Sequence, residues 1–228
     1  MEEKVGKVVI KDNHITLDGT KHFTANALEV SIGSHGRKAT PLFGQNKLEV
    51  KGHLPAPGIH GKVRVSKPIE LDTANSTKAD FTSMFSAGFK PIGFTGSSAV
   101  VYDNLATGHL KLVQLWVEEN DVKNWINGAA KQRTDLANDG SDARVVHLGL
   151  VAMEGSFATS FTSGTNFDVT ADAAGIISIN ATGSLVVSGK SIVTLAEGTV
   201  YGYLLLKPIW NADKTRVVDT RVDEWSIN

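Results

Sequence analysis

Gly155-Ser156-Phe157-Ala158-Thr159-Ser160-Phe161-Thr162 opens a tract, running to about Val200, in which Ser, Thr, Ala, Gly and Asn separate single large apolar residues. Its period is two. Phe157, Thr159 and Phe161 share one face, and Ala158, Ser160 and Thr162 share the other. That alternation predicts a strand with one buried face and one face of small polar groups. The period continues through Phe167-Asp168-Val169, Ile177-Ser178-Ile179 and Leu185-Val186-Val187, with breaks at Gly164, Gly175, Gly183 and Gly189. Such surfaces suit sheets that pair laterally, line a tube or enter a membrane, and they are poor material for an active site. The tract's candidate assembly or membrane positions are Phe157, Phe161, Phe167, Val169, Ile177 and Ile179.

Working outward, the most hydrophobic strand follows the tract, Val200 to Leu206, and Pro208 is expected to end it. Val217-Val218 supplies one further strand. Upstream, Arg144 to Met153 reads as a long strand whose apolar residues do not alternate, which predicts burial on both faces. Leu110 to Val117 is another strand. After it Asp121 caps the main helix, about 121–132, with Val122, Trp125, Ile126 and Ala129 as its apolar stripe. A short helix, about 80–87, is expected with Asp80 as N-cap, Gly88 at C′ and Phe81, Met84 and Phe85 as a core plug.

The first third reads as short strands and turns. Lys7–Lys11 and His14–Leu17 flank the turn Asp12-Asn13, and Asp18-Gly19 is a second turn. Ala27–Ile32, Lys47–Lys51 and Lys62–Ser66 are further strands, and Gly52 to Gly58 is a loop or edge segment. Gly33 to Lys38 reads as an exposed loop. Candidate subunit-contact positions in these two loops and beside them are Gly33, His35, Arg37, Lys38, His53, Pro55, Pro57 and His60. The predicted class is therefore mainly β, a sandwich or sandwich-like set of antiparallel sheets with two helices. Residues 1–72 form an N-terminal β segment and 73–228 the main β domain, or the two are continuous.

At 228 residues the chain can bury a real core. The formal net charge of −1 argues against a partner such as nucleic acid, which calls for a basic surface, and weakens attraction to anionic lipid. There is no cysteine, which excludes disulfides, thiolate nucleophiles and Cys-ligated zinc. The charged start, Met1-Glu2-Glu3-Lys4, precedes a run too short for a signal-peptide core, so a cytoplasmic product is expected.

Motifs for chemistry are incomplete. Ser188-Gly189-Lys190-Ser191 resembles the end of a phosphate-binding loop, but position 184 is Ser184 where a glycine is required. His53 and His60 are two histidines without further zinc ligands at compatible spacing. Asn211 to Thr215 and Asn138 to Asp142 carry oxygen ligands but lack the terminal glutamate of a calcium loop. His147, in an apolar strand, is expected to be a hydrogen-bonded core residue. No cofactor is expected and no enzymatic activity.

Two resemblances add to this reading. Phe43 to Val50, continued through Gly52-His53-Leu54-Pro55-Ala56-Pro57-Gly58-Ile59-His60-Gly61-Lys62-Val63, resembles part of bacteriophage tail-tube proteins, in which a Gly/Pro loop joins two strands of a sandwich that stacks in rings. Leu110 to Val117 followed by Asp121 to Ala130 is similar to their strand-plus-helix unit. This implies a non-enzymatic virion component, made in a host cytoplasm, whose partners are copies of itself and neighbouring structural proteins. The order of helix, long strand, small-residue tract and Val193 to Tyr203 resembles the gasdermin pore-forming fold. That implies a cytoplasmic protein whose residues Phe157 to Ile192 form a membrane hairpin. A carbohydrate-binding β-sandwich is a third reading.

Overall fold

The computed structural model describes residues 6–11, 13–42, 44–59, 61–85, 90–92, 94–162, 166–171, 177–182, 192–195 and 198–225. In chain order they form β1 (Lys7–Lys11), β2 (His14–Leu17), β3 (Thr20–Phe23), β4 (Ser34–Ala39), β5 (Lys47–His53), β6 (Val63–Val65) and β7 (Glu70–Leu71). Then come α1 (Lys78–Met84), α2 (Ser98–Ala106), β8 (Leu110–Val117), α3 (Glu119–Gly128), α4 (Ala130–Asp139), β9 (Ala143–Glu154) and α5 (Gly155–Thr162). The chain ends with β10 (Asn166–Ala171), β11 (Ile177–Thr182), β12 (Ile192–Leu195), β13 (Val200–Trp210) and β14 (Val217–Asp223). The fold is mainly β and sandwich-like, as the patterning predicts.

β9 and β13 are the spine of an eleven-stranded sheet, paired antiparallel with Tyr203 opposite Gly149. β9 is buried from Ala143 to Met153, which is why its sequence does not alternate. Each spine strand has two neighbours on its far side. β4 meets one end of β9, with His35 opposite Val145, and β8 meets the other, with Trp116 opposite Leu148. β3 meets β13 at Tyr203, and β14 pairs with its second half. Strands from residues 1–72 and 73–228 thus interleave in one sheet.

The half built from β8, β9, β13, β3, β2, β1 and β7 closes on itself. Ile69, just before β7, exchanges two backbone hydrogen bonds of 2.8 and 3.1 Å with Leu112 of β8. One hydrophobic cluster belongs to this half and includes Ile10, Ile15, Leu112, Leu150 and Tyr201, with Phe81 and Phe85 of the α1 region and Val101 and Leu105 of α2. The other cluster joins Leu115, Val117, Val145 and Tyr203 to Val122, Trp125 and Ile126 of α3 and Leu136 of α4. The β2–β3 turn has positive φ at both Asp18 (49°) and Gly19 (86°), the left-handed pair that a primed two-residue hairpin needs.

Several expectations are corrected. Phe157 to Thr162 is helix, not strand: α5. The Glu154 carboxylate accepts from the Ser156 and Phe157 amides, and the Thr159 and Thr162 hydroxyls donate to carbonyls four residues back. Phe157 and Phe161 are four apart as well as on one strand face, and their rings stack at 6.0 Å between centroids. Ala27–Ile32 is not a strand; a short 3-10 turn, Ala27–Glu29, follows Asn26 at φ 64°. The exposed loop expected at Gly33 to Lys38 is mostly β4, with Ser34, His35 and Gly36 buried. The main helix starts at Glu119 and breaks at Ala129 (φ −102°, ψ 79°) into α3 and α4. Thr77 caps α1 by accepting from the Asp80 amide, so Asp80 lies inside the first turn. Gly88 lies outside the described residues. Pro208 does not end β13; it lies beyond the last β9 pair, Leu206 with Val145, so its missing donor leaves no β9 rung unmade. α2 was not anticipated.

Candidate functional site

The two predicted contact loops become neighbours, because β4 and β5 pair with Ser34 opposite His53 and His35 opposite Gly52. Trp125 of α3 holds this corner. Its indole N–H donates to the Pro55 carbonyl at 2.7 Å. A Cβ on Gly58 would sit 2.0 Å from Trp125 Cδ1, and one on Gly33 (φ 87°) would sit 2.4 Å from its Cη2. The ring therefore fits only because both positions are glycine.

Within the corner, Ser34 Oγ and His53 Nδ1 lie 3.1 Å apart, and Ser34 Oγ also accepts from the Ser31 amide at 2.9 Å. Ser34 is fully buried, so this pair ties β4 to β5 rather than facing a substrate. His35 is buried beside Asp135 and Asp139 of α4; burial lowers its pKa, and the two carboxylates oppose that shift. Arg37 remains exposed and pairs with Glu49 across the strands at 2.9 Å. Lys38 lies over the Phe23 ring and pairs with Asp223 at 3.0 Å, where Arg144 also binds at 2.5 Å. Pro55 is exposed, Pro57 lies in the 3-10 turn Ala56–Ile59, and His60 lies outside the described residues. Of the predicted contact positions, Gly33 and His35 are interior; Arg37 and Pro55 keep an outward face.

Two outer strands of the large sheet, β5 and β14, are each capped at one residue from within the chain. At β5, the Leu48 amide donates to Tyr203 Oη at 3.0 Å and the Leu48 carbonyl accepts from Asn26 Nδ2 at 3.1 Å. At β14, Asn127 of α3 does both jobs: its Oδ1 accepts from the Val217 amide and its Nδ2 donates to the Val217 carbonyl, each at 2.9 Å. At these two residues, side chains thus occupy groups that an incoming strand would use.

The second sheet is differently placed. β10, β11 and β12 pair antiparallel with one another, and among the described residues with no strand of the large sheet. Val169 stands opposite Ile179, which stands opposite Val193; Phe167 stands opposite Ala181, and Ile177 opposite Leu195. The register therefore puts the predicted positions 167, 169, 177 and 179 on one face, with 168, 170, 178 and 180 on the other. Leu195 joins the larger hydrophobic cluster, which anchors one end of that face to the body.

Besides His35, two histidines are deeply buried. His147 Nδ1 lies 3.3 Å from the Val117 carbonyl, and His22 Nδ1 lies 3.2 Å from the Thr20 carbonyl. Burial drives both pKa values down to about 4. Among the described residues no group of three or more His, Cys, Asp or Glu could hold a metal ion. The phosphate-loop-like stretch at Ser188 lies outside the described residues. No family model, no curated protein and no solved structure matches this chain.

The capping role of Asn127, the Trp125 slot and the Tyr203 hydroxyl bridge were not found from sequence. Only the glycines at 33 and 58 carried a signal, and it reads equally as loop flexibility.

Proposed function

We propose that this protein is a non-enzymatic structural subunit of a large assembly, a bacteriophage virion or tail component that meets copies of itself through loops and through the sheet β10–β12. The observation that carries the reading is that this sheet shares no strand pairing with the large one among the described residues. Its outer strands, β10 and β12, each have one strand neighbour there, while Leu195 and the contact of β10 with the Ala56–Ile59 turn tie the sheet to the body. A strand with one open side is a template for another chain, and copies that pair there satisfy its backbone groups. The capped edges of β5 and β14 direct pairing away from the body and toward this element. The virion setting rests on the tail-tube resemblance, whose Gly/Pro loop lies between β5 and β6 here.

The cysteine-free chain allows a direct test. In a T170C/T194C variant the two thiols of one copy are separated by β11, since Thr170 and Thr194 both stand opposite Ser178. Two strand spacings, roughly 9.5 Å, put them beyond disulfide reach within a copy. Oxidation should yield a covalent ladder of copies on a non-reducing gel. A product that stays at monomer size would refute pairing at these edges.

The membrane-inserting reading also has an observation in its favour, the alternation of apolar and polar positions across β10 and β11. No helix among the described residues is long and apolar enough to cross a membrane, which leaves strands as the only candidates there. Release of dye from liposomes, with no rings or filaments in plain buffer, would favour that reading over the structural one.

A further inference from the structure

The closed half of the large sheet is held at two places by a single pair of residues. One is Ile69 with Leu112, and the other is Phe23 with Tyr203, the whole register of the β3–β13 pairing. His22 and His147 flank the second. His22 precedes Phe23 and packs beside Gly202, where an added Cβ would meet the His22 Cβ at 3.4 Å. His147 lies on the other side of β13, unpaired at the register shift between Leu148–Leu204 and Val146–Leu205.

Hydrogen bonding fixes which nitrogen of each ring holds the proton. A carbonyl only accepts, so His22 Nδ1 donates to the Thr20 and Ile15 carbonyls, at 3.2 and 3.3 Å, and His147 Nδ1 donates to the Val117 carbonyl at 3.3 Å. Each Nε2 is then a bare lone pair, enclosed and without a hydrogen-bond partner among the described residues. A second proton there would create an N–H with no acceptor and a charge away from water. The surrounding groups give little relief. His22 meets carbonyls of β2 and β3 and the field of His147, which opposes a charge on it. His147 has the Glu118 carboxylate just beyond β8, which already accepts from Trp116 Nε1 at 3.0 Å. β13 brings Gly202 and Leu204, which do not titrate.

We propose that this is an acid-opened seam: protons taken up at His22 and His147 part β3 from β13, while the β2–β3 and β9–β13 pairings hold. Opening here breaks one residue pair and the 2.8 Å bond from Tyr203 Oη to the Ala25 carbonyl, and it gives both new N–H groups water. The neighbouring pairings are longer, with four residue pairs in β2–β3 and six in β9–β13. Parting of the seam needs no second copy and stands apart from the assembly reading.

The cysteine-free chain allows a thiol-trapping test. T24C puts a buried thiol next to Phe23, and V113C puts one in the body on β8. Each full-length variant is labelled with 4,4′-dithiodipyridine, which reacts in acid, at pH 7 and pH 4.5, with rates normalised to a free thiol. T24C should label at least roughly 100-fold faster at pH 4.5, the factor one histidine supplies when its pKa rises from about 4 to 6.5 on opening. V113C should change by only a few-fold. Asparagine at position 22 keeps an N–H for the carbonyls and takes no proton, so H22N in the T24C chain should shrink the rise. Equal acceleration of T24C and V113C would show that the whole fold opens and would overturn the seam, as would a T24C rate unchanged between the two pH values. A rise of full size in a folded H22N would overturn it too. Should H22N not fold, the comparison of T24C with V113C decides alone.

Discussion

Two buried histidines contribute to the acid response expected of this fold. His22 and His147 are held neutral by burial, with pKa values near 4 against 6.5 for the free side chain. A group whose folded pKa is depressed contributes stability that is complete above its unfolded pKa and is lost as pH falls through the folded one. The window is therefore pH 6.5 down to about 4. Each histidine gives up about 3 kcal/mol across it. Urea unfolding at pH 7 and pH 4.5 should show this loss, and H22Q and H147Q should each flatten the slope; an unchanged slope in both would contradict the burial account. Trp125 makes a second prediction at this scale. G58A and G33A force a methyl into the indole, which should destabilise each variant by roughly 1–3 kcal/mol. A thermal melt within error of wild type would show that the slot has room. The sequence displayed both glycines but not their neighbour, because the contact joins α3 to residues far from it in the chain.

At the scale of elements, patterning was a good guide where one rule acted alone. Leu110–Val117 is β8 to the residue, and the run at Arg144–Met153, whose apolar residues do not alternate, is the doubly covered strand β9. Where two periods coincide it misled. Phe157 and Phe161 satisfy both the strand spacing and the helical i, i+4 spacing, and Glu154 decides between them by capping α5. Likewise Gly33 to Lys38 has a loop's composition, yet pairing with β5 and β9 makes most of it a buried strand. The edge caps were not legible at all, since nothing local marks Asn127 as the partner of Val217. That cap is testable. N127A leaves an amide and a carbonyl of β14 without their 2.9 Å partners, which should cost about 1–3 kcal/mol. It should also expose a strand edge, so light scattering of N127A is expected to rise on mild heating before the wild type's does. A variant as stable and as clear as wild type would show that Asn127 does not protect the edge.

The whole molecule combines a large sheet, capped at one residue of β5 and one of β14, with a small sheet whose outer strands each have one strand neighbour among the described residues. Half of the large sheet closes through Ile69 and Leu112, and the outer strands β5 and β14 are each capped at one residue, Leu48 and Val217. The small sheet β10–β12 pairs with no strand of the large one among the described residues, and the proposed self-association rests on it. On this account, function lies in how copies meet rather than in a reaction. Negative-stain microscopy of the purified full chain, at high concentration in plain buffer without lipid, tests that most directly. Rings or filaments of regular repeat are the predicted result. A field of single particles of one-copy size, unchanged as concentration rises, would contradict it.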